Sequence, residues 1–188
     1  MGKIVEVIIT GKNVGTVQVI PYSMAMGLAV YPGSTVAKAD PVLYKVPRYE
    51  VRMGGGAYEA VRFGLQNKGI FPPAERLFCD AGLSMAQVCT PDWLPGYSPR
   101  TFRGGPNQGA WVLIPGRSFL IHEGADTTQG ENGGSLGCIE ILDGLWPDFL
   151  RELQILGGGT CAEIGRQKSL KVTLEQAPFP MAELVSKS

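Results

Sequence analysis

At 188 residues the chain has room for a single domain with one core, or at most one domain with an appended subdomain. Seventeen basic residues balance seventeen acidic ones, and no run of like charge appears, so a nucleic-acid stripe and a polybasic membrane patch are not expected. No stretch approaches the roughly 18 consecutive apolar residues of a membrane-spanning helix.

Glycine (26) and proline (14) make up about a fifth of the chain, well above the usual share of about 12%, yet 44% of the residues are hydrophobic. Many short strands joined by tight turns would give this composition. From the N-terminus, Ile4 to Ile20 alternates around Gly11-Lys12-Asn13, which predicts a β-hairpin with Val5, Val7 and Ile9 on one strand and Val17 and Val19 on the other. Met24 to Val30 and Val42 to Val51 are further strand candidates. Gly54-Gly55-Gly56 lacks the Gly-Lys-Ser/Thr of a phosphate loop and reads as a flexible turn, with a short helix predicted over Ala57 to Leu65. Pro91 to Gly109 is dense in breakers and reads as a long loop. Its aromatic residues Trp93, Tyr97 and Phe102 either plug a satellite core or cover a substrate.

Downstream the pattern sharpens. Trp111 to Ile114 and Ser118 to Ile121 flank Pro115-Gly116-Arg117 as a second hairpin, and Glu123 to Gly134 reads as a polar surface loop. Cys138 to Leu142 forms a short strand. Pro147 suits the first turn of a helix in which Trp146, Leu150, Leu153 and Leu156 share one face, ended from Gly157 onward. Leu170 to Leu174 closes the series as a strand.

His122 is the chain's only histidine, and Cys138 follows sixteen residues later. With a free pKa of about 8.5, a thiol is only a few per cent thiolate near neutral pH, and an imidazole is the side chain best suited to take its proton. Strand alternation sends Cys138, Glu140 and Leu142 to one face and Ile139 and Ile141 to the other. The bend before Cys138 can aim the backbone N–H groups of Leu136, Gly137 and Cys138 at one point as an oxyanion hole. Ser135 either braces that turn or donates to substrate. Glu140 is expected beside the thiol, paired with a cation such as Arg103 or Arg117, unless it points to solvent at a sheet edge. Glu123 and Asp126 are local candidates to orient the imidazole, against their plain reading as solvated loop acids.

The arrangement resembles the L,D-transpeptidase catalytic domain, the cysteine enzymes of peptidoglycan stem peptides. There a histidine closing one strand is followed, after a similar interval, by Ser/Thr-x-Gly-Cys-Ile opening the next; here Ser135-Leu136-Gly137-Cys138-Ile139 fits residue by residue. The resemblance spans about Trp111 to Gln176. Glu123 stands where glycine usually follows the histidine, Leu136 where a second histidine is frequent, and Glu140 where an arginine is common. The resemblance implies a mostly β, α+β fold in which a mixed sheet wraps one or two helices. It also implies catalysis by Cys138 and His122, with backbone carbonyls orienting the imidazole and without cofactor or metal. Cys138 would attack the carbonyl at an L-centre of a tetrapeptide stem and form a thioester. An amine would then resolve it as transpeptidation, or water as L,D-carboxypeptidase hydrolysis.

Residues 1–188 are expected to form a single domain, with 1–106 a β-rich part and 107–176 the catalytic core. Cys79, Cys89, Cys138 and Cys161 lack zinc-ligand spacing. Two disulfides, Cys79–Cys89 and Cys138–Cys161, are the competing structural reading, which would make the chain a non-catalytic wall-binding module. A cell-wall cysteine peptidase or amidase is a further alternative, although such enzymes usually place cysteine before histidine. The N-terminus carries no apolar export segment, so the protein is expected to be made in the cytoplasm and to act in the periplasm or cell wall after export, injection or lysis. That suggests an antibacterial toxin or phage product, with a secretion apparatus or an immunity protein as partner.

Overall fold

A computed structural model describes residues 2–19, 43–66, 77–79, 85–97, 109–113, 119–130, 138–178, 180 and 182–185. The fold is mostly β, with a curled mixed sheet and two helices, as the sequence predicts. In chain order the strands are β1 (Val5–Val19), β2 (Tyr44–Met53), β3 (Gly56–Val61), β4 (Gly64–Gln66), β5 (Leu77–Cys79), β6 (Gln87–Cys89), β7 (Asp92–Pro95), β8 (Gly109–Val112), β9 (Leu120–Glu123) and β10 (Ile139–Ile141). Helices α1 (Trp146–Gly157) and α2 (Cys161–Arg166) follow, then β11 (Leu170–Leu174) and β12 (Glu183–Leu184).

The large sheet runs β6-β11-β1-β2-β3-β10-β9-β8-β7, with β12 added on β2, while β4 and β5 pair separately. Its two end strands, β6 and β7, are separated in sequence only by Thr90 and Pro91. The chain therefore passes from one end of the curled sheet to the other within two residues. Helix α2 packs on β7, where a Cβ on Gly165 would lie 2.9 Å from the Trp93 backbone nitrogen, so only a glycine lets the two backbones come this close.

Three sequence expectations are corrected. The N-terminal alternation belongs to one strand, not a hairpin: β1 is 15 residues long and pairs antiparallel with β2 along both of its halves. Gly11-Lys12-Asn13 is absorbed as register shifts between Ile9 and Gly15, because a continuous partner strand offers ladder bonds on both sides of the interruption. Ala57 to Leu65 is not helical. Gly54, at a positive φ of 55°, opens a two-residue turn that folds β3 back on β2, pairing Tyr58 with Val51 and Ala60 with Tyr49. The loop expected from Pro91 to Gly109 contains a strand, β7, paired antiparallel with β8. The candidate strand Met24 to Val30 lies outside the described residues.

Helix α1 forms as the sequence predicts. Pro147 occupies its first turn, and Gly158 caps its end in the left-handed region while its N–H reaches the Gln154 carbonyl. Trp146, Phe149, Leu150 and Leu153 bury its inner face against Val5, Val7, Ile9, Val51, Ile121, Ile139 and Ile141 of the sheet. The Glu152 carboxylate accepts from the Tyr58 hydroxyl and, at 3.2 Å, from the Gly56 N–H, tying the β2–β3 turn to the helix. Helix α2 opens on a capping box between Thr160 and Glu163. A second cluster, built on Val17, Tyr44, Val46, Tyr49, Val61, Phe63 and Leu142, buries residues that alternate with those of the first. Ala60 and Ile141 belong to one cluster, and their neighbours Val61 and Leu142 to the other. The middle of the sheet is thus covered on both faces.

Candidate functional site

Strands β9 and β10 lie side by side and parallel at that doubly covered centre, with His122 directly opposite Glu140. Neighbouring Ile121, Ile139 and Ile141 point into the larger cluster, so alternation turns His122 and Glu140 to the other face. Cys138 immediately precedes β10 and shares the parity of Glu140. It is half-buried and forms no disulfide. Strand geometry makes Cys138 and His122 diagonal neighbours on one face, with α-carbons about 8 Å apart.

The imidazole orientation is fixed. Its Nδ1 lies 2.6 Å from the backbone carbonyl of Glu123, which can only accept, so Nδ1 must carry a proton. The group at Nδ1 is therefore the Glu123 main-chain carbonyl, the kind of partner the resemblance implies. Glu123 is buried rather than solvated. Asp126 instead caps the short 3-10 turn Thr127–Gln129 by accepting from the Thr128 N–H at 3.0 Å. The other ring nitrogen, Nε2, faces Oε1 of Glu140 at 3.9 Å, and both side chains are less than a tenth exposed. Glu140 does not point to solvent at an edge, because β3 pairs with the other side of β10 and sets Val61 opposite it.

The chain leaving His122 is held closely. Gly124 donates its N–H to the Ile141 carbonyl at 2.8 Å, and a Cβ there would stand 2.8 Å from the Cβ of Glu140. A glycine is required at that point, one residue later than in the resembling pattern. Beyond it, Asp143 adopts a positive φ of 61° and gathers the loop: its N–H donates to the Ala125 carbonyl, while its carboxylate accepts from the Thr127 N–H and hydroxyl and from Arg48. Burial pushes the Asp143 carboxyl upward, but the hydrogen bonds from Thr127 and Arg48 together outweigh it and hold the group below the usual range. The first part of the expected surface loop is accordingly interior, with Glu123 and Ala125 both buried.

The aromatic residues before β8 divide between two jobs. Trp93 packs on Trp111 with ring centroids 4.8 Å apart and belongs to the core. Tyr97 lies over His122, centroids 5.6 Å apart, and its carbonyl accepts from the Gly109 N–H. Phe102, Arg103 and Arg117 lie outside the described residues. So do Ser135, Leu136 and Gly137, and with them the expected oxyanion turn.

Cys89 and Cys161 are likewise thiols, which removes the proposed pairings Cys79–Cys89 and Cys138–Cys161. Desolvation pushes both upward, Cys161 to about 11, so neither is suited to act as a thiolate near neutral pH. Among the described residues no cluster of His, Cys, Asp and Glu has the makings of a metal site.

No family model, curated protein or solved structure matches this chain. The functional reading therefore rests on the site alone: a half-buried thiol, an imidazole of fixed tautomer and a buried carboxylate on one face of two parallel strands. Sequence reasoning placed Cys138, His122 and Glu140 on that face. The resemblance also implied a backbone carbonyl at the imidazole, without saying that it is Glu123's; the close approach at Gly124 and the clamp at Asp143 were not foreseen. The glycine near the histidine was a visible signal, but the Asp143 clamp had none, since Arg48 and Thr127 are distant from each other in sequence.

Proposed function

We propose that the protein is a cysteine acyl-transfer enzyme of the L,D-transpeptidase type, acting on peptidoglycan stem peptides. The observation that carries this reading is the bond from His122 Nδ1 to the Glu123 carbonyl, which leaves Nε2 on the face shared with Cys138. That supplies the requirements of thiol catalysis: a nucleophile, a proton-handling nitrogen in a known tautomer, and a fixed support for the ring. The sulfur of Cys138 attacks a peptide carbonyl at an L-centre of a tetrapeptide stem. Nε2 takes the thiol proton of Cys138 as the C–S bond forms, and it passes that proton to the departing amine as the C–N bond to the terminal D-residue breaks. A second amine then displaces the thiol to give a cross-link, or water releases a shortened stem.

Gly137, Leu136 and Ser135 belong to this reading as the oxyanion and substrate-binding turn, and peptidoglycan stems are the partners. Action in the periplasm or cell wall, as an antibacterial effector or a phage product, is the setting that fits such a substrate. Incubation with purified tetrapeptide muropeptides tests the activity through product masses. Loss of one D-alanine or formation of cross-linked dimers is expected in the presence of Cys138 and not in Cys138→Ala. Unchanged muropeptides with wild-type protein would sink the proposal.

A further inference from the structure

The carbonyl that meets His122 Nδ1 belongs to the last residue of β9, so its position depends on how the chain leaves that strand. In a regular strand the carbonyls lie near the sheet plane and the side chains stand roughly perpendicular to it. The Glu123 carbonyl reaches the ring only where the backbone departs from that geometry. The departing segment is fastened along its length. Gly124 donates its N–H to the Ile141 carbonyl at 2.8 Å, and the Ala125 carbonyl accepts from the Asp143 N–H at 2.9 Å. Further along, Thr127 donates its N–H, at 3.1 Å, and its hydroxyl to the Asp143 carboxylate. Asp143 is itself fixed from another side by Arg48 of β2, which also pairs with Glu59 of β3 at 2.9 Å. Main chain and side chain of one residue thus tie the segment after His122 to the middle of the sheet.

We propose that Asp143 is a positioning residue for His122: through Thr127 and Ala125 it holds the Glu123 carbonyl against Nδ1 and so fixes the ring. Without the carboxylate Thr127 is released, and the segment stays tied by the main-chain bonds at Gly124 and Ala125 alone. A shift of about 1 Å at Glu123 takes the 2.6 Å contact out of hydrogen-bond range. The imidazole can then turn, or carry its proton on Nε2 instead of Nδ1. The consequence for catalysis rests on the acyl-transfer reading above, in which Nε2 must be free to take the thiol proton. Loss of the clamp therefore lowers kcat, while KM holds because Asp143 acts through the main chain and not on the substrate.

Because His122 is the only histidine, isotope-labelled histidine gives a single Nδ1–H signal by NMR, and its exchange with water can be followed without substrate. Asp143→Gly removes the carboxylate and tolerates the positive φ of 61° at this position, so the backbone turn itself is kept. Asp143→Asn tolerates the same backbone and leaves an acceptor oxygen for Thr127. A slowly exchanging Nδ1 proton is expected in the wild type. Asp143→Gly should speed that exchange at least about tenfold through local opening of the segment, and Asp143→Asn should restore most of the protection. A merely structural role would lower stability and leave the Nδ1 proton of the folded state alone. Wild-type exchange in folded Asp143→Gly therefore overturns the proposal, as does an unprotected Nδ1 proton in the wild type. Should Asp143→Gly fail to fold by circular dichroism, Thr127→Val decides by the same criterion, with a speeding of about threefold expected from loss of the hydroxyl bond. On purified tetrapeptide muropeptides Asp143→Gly should lower kcat about tenfold and leave KM within about twofold. A raised KM with unchanged kcat would also overturn the assignment. The two readings fail separately: wild-type protein that leaves muropeptides unchanged removes the acyl-transfer reading, and the proton exchange still decides the role of Asp143.

Discussion

Arg62 and the His122–Glu140 pair are both buried polar groups near the second cluster, and they are held in opposite ways. The Arg62 guanidinium is fully buried. It donates to the Thr10 carbonyl at 2.9 Å and to the Glu175 carbonyl, with the rings of Tyr49 and Phe63 each within 6 Å. Those partners are main-chain dipoles and ring faces, which cannot take a proton, and arginine does not surrender one. His122 instead faces a carboxylate, with a thiol on the same strand face. Burial of an ionisable group therefore means different things at the two places. At Arg62 it pins three segments of chain together; at His122 it places exchangeable protons where water is scarce.

The sharpest way to break this contrast is to remove each group. Cys138→Ala and His122→Ala should each lower turnover of muropeptides by at least about a thousandfold and by comparable factors, because members of a catalytic pair act as a unit. The fold should survive, since neither change adds volume. Circular dichroism with product mass analysis checks this, and a His122→Ala enzyme retaining a tenth of wild-type rate would separate the two residues.

Arg62→Leu should act on stability instead. It strands the Thr10 and Glu175 carbonyls and should lower the unfolding free energy by about 2–5 kcal/mol. Urea unfolding reads that loss, while the folded fraction should keep its turnover number. A fall in turnover without a fall in stability would place Arg62 in the site.

Asp143→Asn should give a smaller, pH-dependent cost of about 1–3 kcal/mol from weakened charged hydrogen bonds. The native carboxyl is held below its unfolded value, so its contribution is present above the unfolded pKa of about 3.9 and lost as pH falls through the native pKa. Urea midpoints of wild type and variant should differ at pH 7 and converge in strong acid. A constant difference at both would assign the cost to geometry alone.

The smallest effects belong to the other thiols. Cys89→Ala and Cys161→Ala should leave muropeptide turnover within about twofold, and mass mapping after brief alkylation of native protein at pH 7 should find Cys138 modified ahead of both. Faster labelling of Cys161 would contradict the contrast between them.

What the sequence revealed follows the range of the forces involved. Helix α1, strand β11 and the two-residue alternation of Ile139 and Ile141 depend on local periodicity and were readable. The helix predicted over Ala57 to Leu65 failed because β2 offered Tyr58 and Ala60 a strand partner, and the N-terminal hairpin failed because β2 is long enough to pair with all of β1. The burial of Glu140 had the same origin. It depends on β3, far upstream, lying against β10. The candidate pair Cys138 and His122 was legible from residue chemistry and spacing. That a backbone carbonyl supports the imidazole came from the resemblance alone, and which carbonyl it is stayed hidden, because no side-chain pattern announces a main-chain group.

In the proposed reaction Cys138 carries the acyl group during turnover. Intact-protein mass spectrometry after brief incubation with a tetrapeptide muropeptide and acid quenching tests it most directly. An added mass equal to the stem acyl group is expected, mapped to Cys138 and absent from Cys138→Ala. An adduct on another residue, or muropeptide turnover by Cys138→Ala, would contradict it.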